Sequence, residues 1–147
     1  AEAGGAFAAT QAPIAAEGGE TSESAYEEAY GHLLQQDYGA AELAFRDFLA
    51  RYPDSKLAGN AHFWLGQSFY VRGEYKPAAD AFLEGYKSYR KGQKAPDSLL
   101  KLAMSLSRLG QKDAACSAFV ALDGEYPNAP DQVKRRAKSE RTNTGCP

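Results

Sequence analysis

The side chains best suited to covalent or metal chemistry in this 147-residue chain are two histidines and two cysteines. His32 and His62 stand far apart, as do Cys116 and Cys146, so no Cys, His or Asp cluster has the close spacing of a zinc site. The serines near a histidine lack the base and orienting group that nucleophilic catalysis needs. We therefore predict that the protein is not an enzyme, with no catalytic residue, no metal site and no cofactor.

The charge and the apolar runs of the chain disfavour two further classes of function, nucleic-acid binding and membrane insertion. A net charge of −2 at pH 7 offers no electrostatic reason to expect nucleic acid, and no apolar run is long enough to insert into a membrane. Val133 and Ala137 recur at i, i+4 after Pro130, which favours a capping helix with its charges in water over an anion-binding tail. The cations of this tail are Lys134, Arg135, Arg136, Lys138 and Arg141.

The composition indicates which elements must position these residues. The chain has 27 Ala and 13 Leu against one Ile, three Val and four Thr, so residues that favour strands are scarce. Residues 1–24 are mostly Ala, Gly, Glu, Ser and Thr and cannot bury enough apolar area to offset the entropy of ordering. We predict an all-α fold preceded by a flexible linker over residues 1–24.

An internal repeat dominates the remaining chain. Shifting the sequence by 37 residues superposes aromatic and small residues in fixed columns. His32 falls in a column otherwise filled by Phe69 and Leu106, which favours a packed histidine. The clearest columns are Ala41, Ala78 and Ala115; Phe45, Phe82 and Phe119; Tyr52, Tyr89 and Tyr126; and Ala29, Gly66 and Ala103.

Each copy reads as two helices. Ser22 and Ser55 are suitable N-caps, Pro96 suits a first helical turn, and Gly73 and Gly110 suit the turns between paired helices. The pattern predicts three helix-turn-helix repeats over residues 25–129 and a capping helix and tail over 130–147. The predicted first helices are 22–36, 56–72 and 96–109, and the second helices are 38–51, 75–90 and 112–125.

The second copy resembles the tetratricopeptide repeat. That family's pattern places Leu-Gly, an aromatic residue, Gly-x-Tyr, Ala and Phe at these relative positions. Pro53 and Pro127 match its closing proline, whereas Arg90 departs from it. The matching residues are Leu65, Gly66, Phe69, Gly73, Tyr75, Ala78 and Phe82. The resemblance implies a solenoid of stacked helix pairs.

A narrower resemblance rests on the run from Ala25 to Tyr75, with Tyr52-Pro53-Asp54-Ser55 followed by Trp64-Leu65-Gly66. This run is similar to the C-terminal domain of the CpoB (YbgF) family, the periplasmic cell-division coordinators of the Tol-Pal system. The resemblance implies an adaptor that binds TolA and proteins of septal peptidoglycan synthesis. It also implies a signal peptide and a trimerising coiled coil upstream, so that this fragment would be monomeric and the full protein trimeric.

The family's register implies a partner-binding groove along the first helices of the repeats. Tyrosine and amide side chains there suit a bound peptide or helix, whereas core packing is the favoured role for Phe63 and Leu100. A ligand held through its carboxylate would need several convergent cations, and this register offers mainly Arg108, so that class is disfavoured. The predicted groove residues are Tyr26, Tyr30, Asn60, Phe63, Gln67, Tyr70, Met104 and Arg108.

The periplasmic location implied by the resemblance bears on the two cysteines. Cys116 lies in the helix that a cap would cover, and Cys146 follows the cap. In an oxidising compartment a disulfide between them would pin the tail, and two unrelated free thiols are the alternative.

Two functions remain open at this point. The first is a non-enzymatic periplasmic scaffold that coordinates Tol-Pal-driven outer-membrane constriction with septal peptidoglycan synthesis. The second is a repeat subunit of an outer-membrane protein assembly complex, which a lipidated cysteine at the mature N-terminus would indicate.

Overall fold

A computed structural model describes residues 20–147, which form seven α-helices. They are α1 (Ser22–Leu34), α2 (Tyr38–Arg51), α3 (Ala58–Tyr70), α4 (Tyr75–Lys87), α5 (Ala95–Arg108), α6 (Lys112–Glu125) and α7 (Asp131–Thr144). The predicted helices are present, with ends that differ by up to three residues. Most of the predicted linker lies outside the described residues, and its last three positions, 22–24, belong to the first turn of α1.

Local sequence explains several helix ends and corrects two predicted caps. Thr21, not Ser22, is the N-cap of α1, because its side chain and that of Ser24 cap each other's backbone N–H. Ser55 accepts from the N–H of Leu57 in the preceding turn, and Leu57 takes the N-cap position of α3 without a side-chain hydrogen bond.

The turns inside the three repeats share one backbone conformation. Gly73 and Gly110 have φ of 77° and 78°, and Gln36 has φ of 59° at the equivalent position of the first repeat. The left-handed region carries little penalty for glycine and more for other residues. The two glycines therefore confirm the predicted turns, and the first repeat makes the same turn with a glutamine.

Each helix packs against the next one in sequence, and α1, α3, α5 and α7 also pack side by side. This arrangement is a tetratricopeptide-repeat-like solenoid, in which α7 takes the position that the first helix of a fourth repeat would occupy. Phe45, Phe82 and Phe119 are completely buried between the helices. The repeat of 37 residues is thus a repeat of packing positions.

In the second and third repeats, a tyrosine just after the second helix links the repeat to the previous one. The hydroxyl of Tyr126 donates to the backbone oxygen of Arg90 at 2.7 Å, and the hydroxyl of Tyr89 donates to that of Pro53 at 3.4 Å. The acceptors stand at equivalent repeat positions. The column therefore has a structural role besides filling space.

α7 covers the open end of the array. Val133 and Ala137 are its buried residues, and its cations face outward, as the capping prediction requires. Cys146 forms a disulfide with Cys116 of α6, with their Cα atoms 5.6 Å apart. Because the apolar stripe is so narrow, we infer that the disulfide contributes much of the attachment of α7.

A close approach between α3 and α4 leads to a prediction at Gly66. A Cβ added there would lie 2.6 Å from Cε1 of the Phe82 ring, whereas a Cβ at Gly31 would meet nothing within 4 Å. We expect Gly66→Ala to lower the free energy of unfolding by roughly 1–2 kcal/mol, because overpacking outweighs the gain in helix propensity. Gly31→Ala should raise it by about 0.5–1 kcal/mol. Urea unfolding of both variants checks the opposite signs, and equal shifts would contradict the crossing.

Candidate protein-interaction groove

The first helices of the repeats present one continuous surface. α1, α3 and α5 lie side by side, and α7 extends the row. In stacked helix pairs this row lines the concave face. We call this surface the groove, and its side chains considered below are Tyr30, Asn60, Trp64, Gln67, Tyr70, Lys101 and Arg108.

Two predicted groove residues are buried and offer no contact area. Met104 is 1% exposed and Phe63 is 6% exposed, so both belong to the core beneath the groove. Phe63 packs on the fully buried Phe82 ring at a centroid distance of 5.6 Å. Helix periodicity placed both residues on the correct helix, but their large apolar side chains turn toward the second helices of the array.

Tyr26 and Tyr30 have different surroundings. The Tyr26 ring contacts the rings of Phe45 and Phe48 edge-on, with centroid distances of 5.9 and 5.8 Å. These contacts pack α1 against α2. Burial raises its pKa, with opposing hydrogen bonding from Trp64 and Asn60. Tyr30 instead reaches across to Trp64 of the next repeat at 5.2 Å. Tyr30 is therefore the groove residue of this pair, and Tyr26 mainly supports it.

Trp64 is a groove residue that the sequence analysis did not include. Its ring contacts Phe63 at 4.8 Å, and the Nζ of Lys94 lies 5.2 Å from the centroid of each of these rings. The spacing held a signal, because Trp64 stands four residues after Asn60 and three before Gln67, on the same face of α3.

The groove also carries more positive charge than predicted. Lys101 places its Nζ 4.7 Å from the centroid of Tyr70, and the guanidinium carbon of Arg108 lies 5.9 Å from the same ring. Arg108 also donates to the hydroxyl of Tyr75 at 3.0 Å. The expectation that Arg108 is the main cation of the groove is therefore wrong. Asp97, Lys101 and Arg108 follow an i, i+4, i+11 spacing that puts them on one face of α5.

Burial changes the protonation behaviour of these groups. It lowers the pKa of Lys101, a shift that the nearby cations Arg136 and Arg108 reinforce and the carboxylates Glu140 and Asp97 oppose. Burial also raises the pKa of Asp97, against the influence of Lys94. Both shifts have the same cause, which is the loss of water around a charged group.

Two polar atoms of the groove have no partner within residues 20–147. Gln67 Oε1 and the hydroxyl of Tyr70 are both buried and form no hydrogen bond there. Burial raises the pKa of Tyr70, whose hydroxyl feels the charges of Arg108, Glu140 and Arg136. An unsatisfied buried polar atom costs about 1–3 kcal/mol. A bound partner would recover part of that free energy if these two partly buried side chains turn toward it.

His62 is partly buried and contacts an aromatic ring. His62 packs on the ring of Tyr89 at 5.6 Å, and burial lowers its pKa. Within residues 20–147 no group of three or more His, Cys, Asp or Glu side chains is placed to hold a metal ion. In the same part of the chain no helix has the length and apolar character needed to cross a membrane.

Comparison with known proteins supports the repeat assignment. The tetratricopeptide repeat family model matches residues 97–129, which include most of α5 and all of α6. Two Pseudomonas putida proteins named cell division coordinator CpoB are each 41% identical to this chain over 49 residues. Each match covers 33% of this chain and 18% of the relative.

The repeating helix pairs, the family match to the third repeat and the similarity to the coordinators agree with one another. The shared segment is short, and the chain therefore spans only a small part of either relative. The described part of the chain is a helical repeat solenoid that resembles the tetratricopeptide repeat and, over a short segment, CpoB.

Proposed function

We propose that this domain is a periplasmic protein-interaction scaffold of cell division, which binds a partner in its groove. The observation that carries the proposal is the pair of buried, unpartnered polar atoms on Gln67 and Tyr70, beside aromatic and cationic side chains on the same surface. A surface of this kind suits a peptide or helix, which supplies both hydrogen bonds and apolar side chains.

We further propose TolA as the partner, so that the scaffold couples Tol-Pal-driven constriction to septal peptidoglycan synthesis. The similarity to proteins named cell division coordinator supports this role. The disulfide between Cys116 and Cys146 supports a periplasmic location, because such bonds persist in oxidising compartments. In this role the domain positions other proteins and performs no chemistry itself.

Capture of the TolA periplasmic domains tests the partner. Tyr70→Ala and Asn60→Ala should each weaken binding at least about tenfold, because truncating a central aromatic or amide contact removes about 1.4 kcal/mol or more. The matched control is Leu43→Ala, which truncates a 69% exposed residue of α2 and should leave binding unchanged.

Circular dichroism must show that all three variants remain folded. Unchanged binding in both groove variants would show that the partner does not bind in the groove. Absence of capture by the unaltered domain would show that TolA is not the partner.

A further inference from the structure

We propose that the end of the groove formed by Lys101 and Arg108 around Tyr70, here called the basic end, binds an acidic peptide segment of a partner protein. Carboxylates of the segment pair with Lys101 and Arg108, and the side-chain amide of the partly buried Gln67 turns to accept a hydrogen bond from one of the segment's backbone N–H groups. This inference rests on the proposed scaffold function and specifies the chemistry of the partner.

The carboxylates that neighbour the basic end already have partners. Asp97 lies 4.0 Å from the Nζ of Lys94, and Glu140 accepts from Arg136 at 2.9 Å. Among residues 20–147, neither Lys101 nor Arg108 forms an ion pair with a carboxylate. The two cations of the basic end are thus available to charges that a partner brings.

Burial limits the hydration of the Lys101 ammonium. Lys101 is partly buried against Tyr70, and burial lowers its pKa, so its ammonium is poorly solvated. A carboxylate that replaces this missing hydration forms a charge-assisted hydrogen bond, which is stronger than a neutral one. Tyr70 and Tyr75 hold Arg108 in place, which reduces the entropy lost when it pairs.

The unpartnered acceptor on Gln67 favours a peptide over a simple anion. Gln67 lies one turn before Tyr70 on α3, and its unpartnered Oε1 can only accept a hydrogen bond. A simple anion such as acetate or sulfate has no N–H or O–H to donate, whereas an acidic peptide carries both N–H groups and carboxylates. The adjacent acceptor and cations therefore match a peptide.

The charge along the row of first helices changes from basic near α5 and α7 to acidic at α1. α7 contributes Arg135 and Arg136, which line a cavity of about 480 Å³ together with Lys101 and Asp97. At the other end of the row α1 carries Glu23, Glu27 and Glu28, all of them exposed. An acidic segment is therefore attracted toward α5 and α7 and repelled from α1.

Three capped twelve-residue peptides test the chemistry directly. They share their alanine and leucine positions and differ only in carrying glutamate, glutamine or lysine elsewhere. Fluorescence anisotropy should show the glutamate peptide binding at least about tenfold more tightly than the glutamine peptide, and the lysine peptide binding most weakly. Raising the salt concentration should reduce this difference.

Two double variants locate the binding. Lys101→Gln/Arg108→Gln keeps most of each side chain's length and should bring the glutamate peptide to the affinity of the glutamine peptide. Lys87→Gln/Lys91→Gln removes the same charge at two exposed positions, one at the end of α4 and one after it, that are not groove residues, and should leave the difference intact. Thermal unfolding of both variants checks that the fold is retained.

The outcomes separate this inference from the proposed function. Equal affinity for the glutamate and glutamine peptides, or an unchanged difference in the first double variant, would overturn the acidic class. TolA capture that depends on Asn60 would still leave the scaffold standing. Phosphatidylglycerol vesicles that bind more tightly than the glutamate peptide, and only when Lys101 and Arg108 are present, would replace the peptide with a lipid headgroup.

Discussion

Replacing both cysteines by serine, Cys116→Ser/Cys146→Ser, should lower the free energy of unfolding by about 3–4 kcal/mol in the chain-entropy model. The bond joins residues separated by 30 positions, so it removes considerable conformational freedom from the unfolded chain. Urea unfolding, followed by circular dichroism with and without the bond, gives this difference.

The loss should not be spread evenly over the molecule. α7 buries only Val133 and Ala137, while a hydrogen bond between Ser107 and Thr144 and an ion pair between Arg141 and Asp123 are its other prominent links to the array. Without the disulfide, hydrogen exchange of the α7 amides should therefore accelerate more than that of α3 or α4.

Ser117→Ala/Ser139→Ala is the matched control, since it changes one exposed residue in α6 and one in α7. It should leave stability nearly unchanged. Alkylation of two thiols in the unreduced, unfolded protein would contradict the bond itself. An equal free energy of unfolding with and without the bond would contradict its role in holding α7.

Phe82→Ala should cost about 3–5 kcal/mol of stability, which is the range for removing a fully buried aromatic ring. Phe82 is 0% exposed and lies between Phe63, Tyr70 and the backbone of Gly66. Its loss leaves a cavity at the centre of the array, where flanking repeats limit collapse. Urea unfolding of the variant measures the cost.

Leu83→Ala provides the comparison in the adjacent position of α4. Leu83 is 40% exposed, so we expect a cost below about 1 kcal/mol. Similar losses for the two variants would show that the middle repeat is not the packing centre. The ring centroids of Tyr70 and Phe82 lie 6.5 Å apart. Phe82→Ala should therefore also weaken groove binding under conditions in which the domain remains folded.

The repeat could be recognised from sequence because identical packing positions require similar side-chain sizes. Phe45, Phe82 and Phe119 are all completely buried, and each stands 37 residues from the next. Small residues at Gly66 and Ala103 mark the matching helix crossings. Cap positions were harder to predict, since several neighbouring polar residues compete for the same backbone groups, as Thr21 and Ser22 do.

The groove was only partly predictable. Helix periodicity identifies the face of α3 that bears Gln67 and Tyr70, but it does not say how deeply a long side chain sinks into that face. Met104 was predicted to contact a partner and is buried, whereas Lys101 was overlooked and lies against Tyr70.

By itself the sequence determined the helical class, the order of the paired helices and the columns that fill the core, because these depend on residue size and spacing along the chain. Only the tertiary structure decided which polar atoms lack partners, which cations gather around Tyr70, and how Cys146 returns to Cys116. These features depend on distances between helices from different repeats. Such distances arise when the helices pack, and no local pattern of residues encodes them.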